Sequence, residues 1–214
     1  MNSKTIFFLG VIAVFLFIIS SIIGGLLIEN YNFTSQLISE SYAIDTKYGL
    51  FLRFFGYIPS GILLTLFCFS VIRCFNQNKV TKIGFYGLAI FYGIATIIVG
   101  FFPCDKGCNK EFIDPSIAQI IHNLSGALTY IFVPISILLI GVGLRKFSHF
   151  KNLSKQVIIV GTLSFFFVGL FLSNQNSNFI GIYQRIIEGL FLLFIIICAF
   201  VIKEKKHVIN SYLF

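Results

Sequence analysis

The sequence contains no tryptophan and few charged residues of either sign. Charged residues make up 11% of the 214 residues, whereas soluble domains carry about 25%. Hydrophobic residues make up 57%, and the mean hydropathy is +0.93. A water-soluble fold with so few charges could not cover its own surface. The composition therefore excludes a soluble globular protein and indicates an integral membrane protein.

The sequence also lacks a polar stretch long enough to form a separate soluble domain. The longest segment between apolar runs, from about Glu29 to Leu50, has only about two dozen residues. The sequence contains no phosphate-binding glycine loop, nucleic-acid motif or haem signature. We therefore expect a single membrane domain over residues 1–214, without a cofactor and without a nucleic-acid partner.

Six apolar runs approach the length of roughly 20 helical residues that a hydrocarbon core about 30 Å thick requires. The predicted spans are 6–28, 51–72, 83–102, 117–144, 157–172 and 182–202. The first run is longer than the core of a secretory signal, which usually has about 7–15 apolar residues, so we expect a retained helix. The pattern predicts an all-α polytopic membrane protein with a bundle of six transmembrane helices.

The charges between the runs predict how the bundle is oriented. One side holds eleven basic residues, which are Lys4, Arg73, Lys79, Lys82, Arg145, Lys146, Lys151, Lys155, Lys203, Lys205 and Lys206. The other side and its helix ends hold five, which are Lys47, Arg53, Lys106, Lys110 and Arg185. Acidic residues divide in the opposite way, and only Glu204 lies on the basic side. Because cytoplasmic loops collect Lys and Arg, we predict a multi-pass protein of the cell membrane with both termini in the cytoplasm.

Several outward segments carry polar residues that are candidates for a functional site, beginning with the first outward loop. It contains Ser39 and Glu40, and Arg53 lies just inside the second span. Its apolar residues have the loose spacing of one helix face, which predicts a segment along the membrane surface: Phe33, Leu37, Ile38 and Ile44.

The second outward loop contains Asp105 between two cysteines. Cys104 and Cys108 could form a small disulfide ring if this side of the membrane is oxidising. The other cysteines lie in or beside spans, where we expect free apolar side chains: Cys68, Cys74 and Cys198.

Polar residues also lie on single faces of the fourth and sixth spans. His122 shares a helix face with Gln119, Gly126 and Thr129, and such a stripe should face protein or water. In the sixth span Gln184 and Arg185 precede Glu188, and a spacing of three residues allows Arg185 and Glu188 to pair. This pair has two interpretations, a structural ion pair or a binding site.

Catalytic sites can be weighed by counting the available side chains. The chain has three histidines, and His149 and His207 fall on the side predicted to be cytoplasmic, which excludes a zinc site made of all three. A metal site of His122 with carboxylates stays open, although no spacing supports it and we assign no metal ligands. A triad of Ser39, His122 and Asp105 is a further alternative without a nucleophile motif.

Four short segments resemble one known family. They are Leu37-Ile38-Ser39-Glu40, Gly100 to Asp105, His122 to Gly126 and Gly181 to Arg185. In this order they resemble the six-helix prokaryotic membrane family catalogued as domain of unknown function 998. The resemblance implies six spans and a shared set of outward polar residues, and it brings no established reaction. These residues are Ser39, Glu40, Asp105, His122, Gln184 and Arg185. The layout alone is also similar to the Frag1/DRAM/Sfk1 group, which is linked to lipid handling.

Two functional hypotheses follow. In the first, an outward polar site binds, senses or moves a membrane lipid or other amphiphile, with Arg185 holding an anionic group and His122 donating a hydrogen bond. Its predicted ligand-binding residues are Arg185, Glu188, His122, Gln184, Glu40, Arg53 and Asp105. In the second, the same site is a hydrolase or transferase with His122 as general base and Asp105 and Ser39 as further catalytic candidates. Membrane lipids are the expected partners, and a second copy of the chain is an open one.

Overall fold

The computed structural model describes residues 1–75 and 78–204, and within these ranges it contains helices and no strand. Six helices are long and apolar enough to cross a membrane. They are α1 (Ser3–Leu26), α2 (Gly49–Cys74), α3 (Lys79–Phe101), α4 (Ile117–Leu144), α5 (Ser148–Ser173) and α6 (Ile180–Glu204). The predicted all-α bundle of six spans is confirmed. Lys205, Lys206 and His207, which entered the charge and histidine arguments, lie outside the described residues.

The observed helices extend beyond some of the predicted apolar runs. Helix α5 begins at Ser148, whereas hydropathy alone predicted a start at position 157. Its first turns carry Lys151 and Lys155, which lowered the hydropathy without breaking the helix. A helix therefore continues past the apolar run that predicts it when the flanking residues are good helix formers.

The six helices form a ring in chain order. Each helix packs against the next, and α6 returns to pack against α1. The start of α1 and the end of α6 lie at one end of the bundle, where the Lys203 ammonium is 4.6 Å from the centre of the Phe7 ring. The opposite end is closed by loops 27–48, 102–116 and 174–179, and we call it the acidic end.

Small residues let these helices approach closely. A Cβ atom at Gly84 would lie 2.5 Å from Ile140 Cγ1 and 2.6 Å from the Ser136 carbonyl oxygen. Ser60 Oγ donates a hydrogen bond of 2.8 Å to the Ala13 carbonyl. Close backbone approach and side-chain hydrogen bonds hold membrane helices together where hydrophobic burial supplies little driving force.

Two helices contain a π-helical segment near their middle or outer half. One runs over Arg53–Tyr57 in α2 and ends two residues before Pro59. The other runs over Ala89–Ile94 in α3. A π segment adds one residue to a turn and changes which side chain faces inward. Tyr57 and Tyr92 lie in these segments, and both are buried in the bundle.

Candidate functional site

The first loop at the acidic end folds into the mouth of the bundle. Residues Ile38–Tyr42 form a short 3-10 helix in which every residue is buried. The Ile38 backbone N–H donates to Gln184 Oε1 over 2.6 Å, and Glu40 Oε1 accepts from the Leu37 backbone N–H over 2.8 Å. The prediction that this segment lies along the membrane surface was therefore wrong. Ile38 packs into the bundle, whereas Ile44 stays exposed, so the four apolar residues do not form one lipid-facing side.

Arg185 anchors the same loop from helix α6. Its Nη1 donates to the carbonyl oxygens of Phe33 and Gln36, each at 2.8 Å, and its Nη2 donates to Tyr31 Oη at 2.7 Å. Burial raises the pKa of the Tyr31 phenol, whereas the adjacent guanidinium opposes that shift. The alternative in which Arg185 pairs with Glu188 is wrong, since the ion pair that forms within the described ranges is Lys110 with Glu40.

The second loop is fixed to the first by covalent and polar contacts. Cys104 and Cys108 form a disulfide, and Ser39 Oγ lies 3.4 Å from Cys108 Sγ. Lys110 Nζ lies 2.9 Å from Glu40 Oε1, on the first loop. The two loops thus form one cover over the acidic end.

Asp105 fixes this cover to the start of α4. Its carboxylate accepts hydrogen bonds from the Ser116 hydroxyl at 2.5 Å and the Ser116 backbone N–H at 3.0 Å. These two bonds hold the pKa of Asp105 below its ordinary value. The Asp105 backbone N–H also donates to Gln119 Oε1 over 2.7 Å. Asp105 therefore has a structural partner set of its own, apart from His122.

Beneath the loops lies a cavity of about 320 Å³ that we call the aromatic cavity. Four tyrosines and Phe17 line it: Tyr42, Tyr57, Tyr92 and Tyr130. The Tyr42 and Tyr57 ring centres are 4.5 Å apart, and Phe17 lies 5.3 Å from Tyr57. Burial, and then the charge of Glu188, raise the pKa of the Tyr42 hydroxyl. The tyrosines supply flat apolar walls with hydroxyl groups among them.

Glu188 is the polar centre of this cavity. Its Oε2 accepts from Tyr92 Oη over 3.1 Å, and its Oε1 accepts from Tyr130 Oη over 3.2 Å. Gln184 Nε2 donates to Tyr130 Oη over 2.9 Å, which connects Glu188 through Tyr130 and Gln184 to the loop. The side chain is 8% exposed. Glu188 lies about 12 Å, or two turns, into α6, which begins at Ile180.

His122 also lines the aromatic cavity, and its partner is a backbone carbonyl. Its Nδ1 lies 3.0 Å from the Phe102 carbonyl oxygen, so Nδ1 carries the proton in this arrangement. Its ring centre is 6.1 Å from that of Tyr42. A carboxylate does not orient this imidazole, and its Nε2 is left to accept a proton or a hydrogen bond.

A second opening lies between α1 and α6, and we call it the lateral groove. Its volume is about 440 Å³. The walls are formed by apolar residues such as Val14, Ile22, Leu193 and Ile196, and it ends at Arg185 and Glu188. Phe17, Ile38 and Glu188 line both the groove and the aromatic cavity. The two volumes are therefore adjacent, and these three side chains lie between them.

The structure brings some of the predicted site residues together and separates the others. Ser39, His122, Gln184 and Glu188 line the aromatic cavity, and Arg185 lines the groove. Glu40, Arg53 and Asp105 line neither volume. Arg53 Nε donates to the Gly49 carbonyl within its own helix over 3.2 Å.

The residues of the predicted catalytic triad and of the predicted metal site do not come together in the described part of the chain. Asp105 bonds Ser116 and His122 bonds Phe102, so Ser39, His122 and Asp105 do not form a triad. In residues 1–75 and 78–204, no three His, Cys, Asp or Glu side chains lie close enough together to hold a metal ion. The mixed site of His122 with carboxylates is therefore not formed there.

The tyrosines are the site residues that the sequence argument missed. The sequence pattern assigned no role to Tyr57, Tyr92 and Tyr130. Tyr92 and Tyr130 both lie more than two turns from the nearer end of their helices. A tyrosine at such depth needs a polar partner inside the bundle, and this is the signal that could have identified it.

Comparison with known proteins gives one match. The model of a family described as protein of unknown function (DUF998) matches residues 11–201. No curated protein and no solved structure matches the chain. The similarity in layout to the Frag1/DRAM/Sfk1 group is not confirmed by these comparisons and stays a prediction.

Proposed function

Since the chain belongs to the DUF998 family of proteins of unknown function, we propose a function from its site: it binds an amphiphile at the acidic end of the bundle. The head group occupies the aromatic cavity, and the hydrocarbon chain occupies the lateral groove. Membrane lipids are the partners that this arrangement suits, and the protein senses or moves the one it binds. The proposal places it in the cell membrane with the acidic end outside.

The observation that carries the proposal is the adjacency of the two volumes. Phe17, Ile38 and Glu188 line both of them, so a head group in one and a chain in the other can belong to the same molecule. Each volume lies in the range of about 300–1,000 Å³ that ligand sites occupy. The groove is apolar and the cavity has polar groups at fixed positions, which is the division that an amphiphile requires.

The aromatic cavity, not the groove, should determine which amphiphile binds. A lipid chain gains little by moving from the bilayer to an apolar groove, because lipid tails are as apolar as leucine. The head group instead exchanges water for tyrosine rings, the Gln184 amide and the Glu188 carboxylate. In this proposal Arg185 positions the loop over the ligand, because its donors already bond the Phe33 and Gln36 carbonyls.

The alternative activity, a hydrolase or transferase with His122 as general base, has less support. A base of this kind needs a partner that orients it, and the carboxylate candidates near the site are engaged elsewhere. Asp105 bonds Ser116, and Glu188 bonds Tyr92 and Tyr130. Binding explains the observed hydrogen bonds without a chemical step.

Three glycines provide a matched test of the proposal. Gly126 lines the aromatic cavity and Gly189 lines the groove, and a Cβ atom at either position meets no other atom within 4 Å. Gly169 in α5 is equally open but lines neither volume. Gly126→Leu should fill the cavity, Gly189→Leu should fill the groove, and Gly169→Leu is the control.

The measurement is the amount of lipid that stays bound after purification. Each variant is reconstituted with a mixture of phosphatidylcholine, phosphatidylethanolamine and phosphatidylglycerol, washed in dodecyl maltoside and analysed by native mass spectrometry. The wild type and Gly169→Leu should retain a lipid. Gly126→Leu and Gly189→Leu should retain at least about fivefold less, since overpacking costs about 1–3 kcal/mol. Equal retention by all four proteins would refute the proposal.

A further inference from the structure

The aromatic cavity contains one carboxyl group that has no cationic partner in the described part of the protein. Lys110 and Glu188 are its charged lining residues. The Lys110 ammonium is compensated by Glu40, 2.9 Å away. Glu188 accepts two hydrogen bonds from tyrosine hydroxyls, and in the described part of the chain no cation lies within 4.0 Å of it. An ionised carboxylate in such a position is stabilised by a cation that arrives with the ligand.

The other nearby side chains that can carry a positive charge do not supply that cation. His122 donates from Nδ1 to the Phe102 carbonyl, an arrangement that the neutral imidazole satisfies. Arg185 lines the groove beside Glu188, but its Nη1 and Nη2 donate to carbonyl oxygens and to Tyr31 on the loop. The negative potential of Glu188 is therefore directed into the cavity.

The walls of the cavity have the electrostatic character that suits a cation. The faces of aromatic rings carry partial negative charge and attract ammonium groups within about 6 Å of the ring centre. Phe17 lies 5.3 Å from Tyr57 and 6.3 Å from Tyr92, and Tyr57 lies 4.5 Å from Tyr42. These rings form a continuous group around one side of the cavity.

The Tyr57 hydroxyl is a second polar group of the cavity that the described residues leave without a partner. It is buried, and it has no hydrogen-bond partner among the residues that the structure describes. The nearby Ser41 hydroxyl donates to the Ile38 carbonyl over 2.7 Å. A buried hydroxyl without a partner carries a desolvation penalty of about 1–3 kcal/mol. Since Tyr57 lines the cavity, a polar ligand there can satisfy it.

We infer that the aromatic cavity recognises an organic cation, a quaternary ammonium or protonated amine, held by Glu188 and the rings of Tyr42, Tyr57 and Tyr92. An anion would face the Glu188 carboxylate and the ring faces, and both would repel it. The cavity alone carries this inference. It rests on the proposed function only in assigning the cation to the head group of an amphiphile and not to a free amine.

The first test separates charge from shape. Choline and 3,3-dimethylbutan-1-ol have nearly the same shape, and only choline is charged. Their binding to the full chain in dodecyl maltoside is measured by isothermal titration calorimetry. Choline should bind at least about tenfold more tightly, which corresponds to about 1.4 kcal/mol. Equal affinities, or no binding of choline, would overturn the inference.

Variants identify the groups that recognise the cation. Glu188→Gln should remove the preference for choline while retaining similar volume and hydrogen bonding. Tyr57→Leu should weaken choline binding by about three- to thirtyfold, because a cation–π contact contributes about 0.5–2 kcal/mol. Tyr86 in α3 is exposed and lies outside the cavity, so Tyr86→Leu should bind choline like the wild type. Thermal unfolding of each variant establishes that it is folded. If Glu188→Gln does not fold, the effect of Tyr57→Leu on choline binding still tests the cation site.

A third probe separates this inference from the proposed function. Dodecyltrimethylammonium carries the cation and a chain, and it is compared with choline on the wild type and on Gly189→Leu. If it binds more tightly than choline and loses this gain in Gly189→Leu, both proposals are supported. If choline binds with preference and the chain adds nothing, the amphiphile proposal fails and the cation site stands. If lipid is retained in the cavity but the choline preference is absent, only the cation site fails.

Discussion

Glu188 shows how a polar side chain in this bundle depends on its neighbours. Arg185 is three residues away on the same helix, a spacing at which the two side chains can meet. The loop carbonyls of Phe33 and Gln36 take the guanidinium instead, at 2.8 Å each. Tyr92 and Tyr130 are left as the hydrogen-bond donors of the carboxylate. Competition between partners, which sequence spacing does not reveal, determines which of these groups stays available to a ligand.

The tyrosine hydroxyls around Glu188 should contribute to stability to different extents. Tyr92→Phe and Tyr130→Phe each remove a donor from a buried carboxylate, so we expect each to lower the free energy of unfolding by about 1.5–3 kcal/mol. Tyr57→Phe removes a hydroxyl that has no protein partner in the described ranges, so it should leave stability unchanged or raise it. Thermal unfolding in dodecyl maltoside without added ligand compares the three variants. A loss in Tyr57→Phe as large as that in Tyr92→Phe would contradict this assignment.

At the scale of elements, two π-helical segments shape the cavity. They place Tyr57 on α2 and Tyr92 on α3 with their rings directed into the bundle. The buried 3-10 helix Ile38–Tyr42 adds Tyr42 from the loop. Interruptions of regular helices often occur at functional sites, and here two of the four cavity tyrosines, Tyr57 and Tyr92, lie in such segments.

Close helix packing gives a prediction in which two glycines respond with opposite sign. At Gly61, a Cβ atom would lie 2.8 Å from the Gly93 carbonyl oxygen and 3.0 Å from the Ile97 nitrogen, and both are backbone atoms of α3. Gly61→Ala should therefore force α2 and α3 apart and lower the free energy of unfolding by about 1–3 kcal/mol. At Gly169 the space is open. Gly169→Ala should raise the free energy of unfolding by about 0.5–1 kcal/mol, because alanine has the higher helix propensity.

The two variants are compared by thermal unfolding in the same detergent. Because both are glycine-to-alanine changes within a spanning helix, differences in propensity cancel and the sign reports packing. Stabilisation by Gly61→Ala would show that α2 and α3 are not in the close contact described.

At the scale of the whole molecule, the ring of six helices separates the charges by end. The end opposite the acidic end holds Arg145 and Lys146 in a loop and Lys151 in the first turn of α5. The loops of the acidic end hold most of the acidic residues, including Glu29, Asp45, Glu111 and Asp114. Because the number of helices is even, the start of α1 and the end of α6 lie at the same end of the bundle. The contact between Lys203 and Phe7 requires this arrangement.

The orientation predicted from these charges can be measured by cysteine labelling. Glu111 at the acidic end and Lys146 at the opposite end are both exposed. With a membrane-impermeant maleimide on intact cells, Glu111→Cys should be labelled and Lys146→Cys should not, because basic loops stay in the cytoplasm. Background labelling should be low, since Cys68, Cys74 and Cys198 are buried and Cys104 is paired with Cys108. The reverse pattern would place the aromatic cavity on the cytoplasmic side.

The fold was largely predictable from the sequence, because each span depends on its own residues. A helix in lipid must satisfy its backbone hydrogen bonds internally and must be apolar over about 20 residues. Both requirements can be evaluated locally, so the six spans were predicted. The start of α5 was predicted less well, since Lys151 and Lys155 are compatible with a helix but not with the hydropathy criterion.

The site was predictable only in part, because it depends on which side chains meet. The sequence identified Ser39, His122, Gln184 and Glu188, whose polarity is unusual at their positions and which line the aromatic cavity. It could not show that Asp105 bonds Ser116 and that Arg185 bonds the loop, since both contacts join distant segments. Nor could it show that tyrosines from α2, α3, α4 and the loop surround one carboxylate. Local composition determined the bundle, and long-range packing alone determined the cavity, because its walls come from five of the six helices and from the three loops of the acidic end.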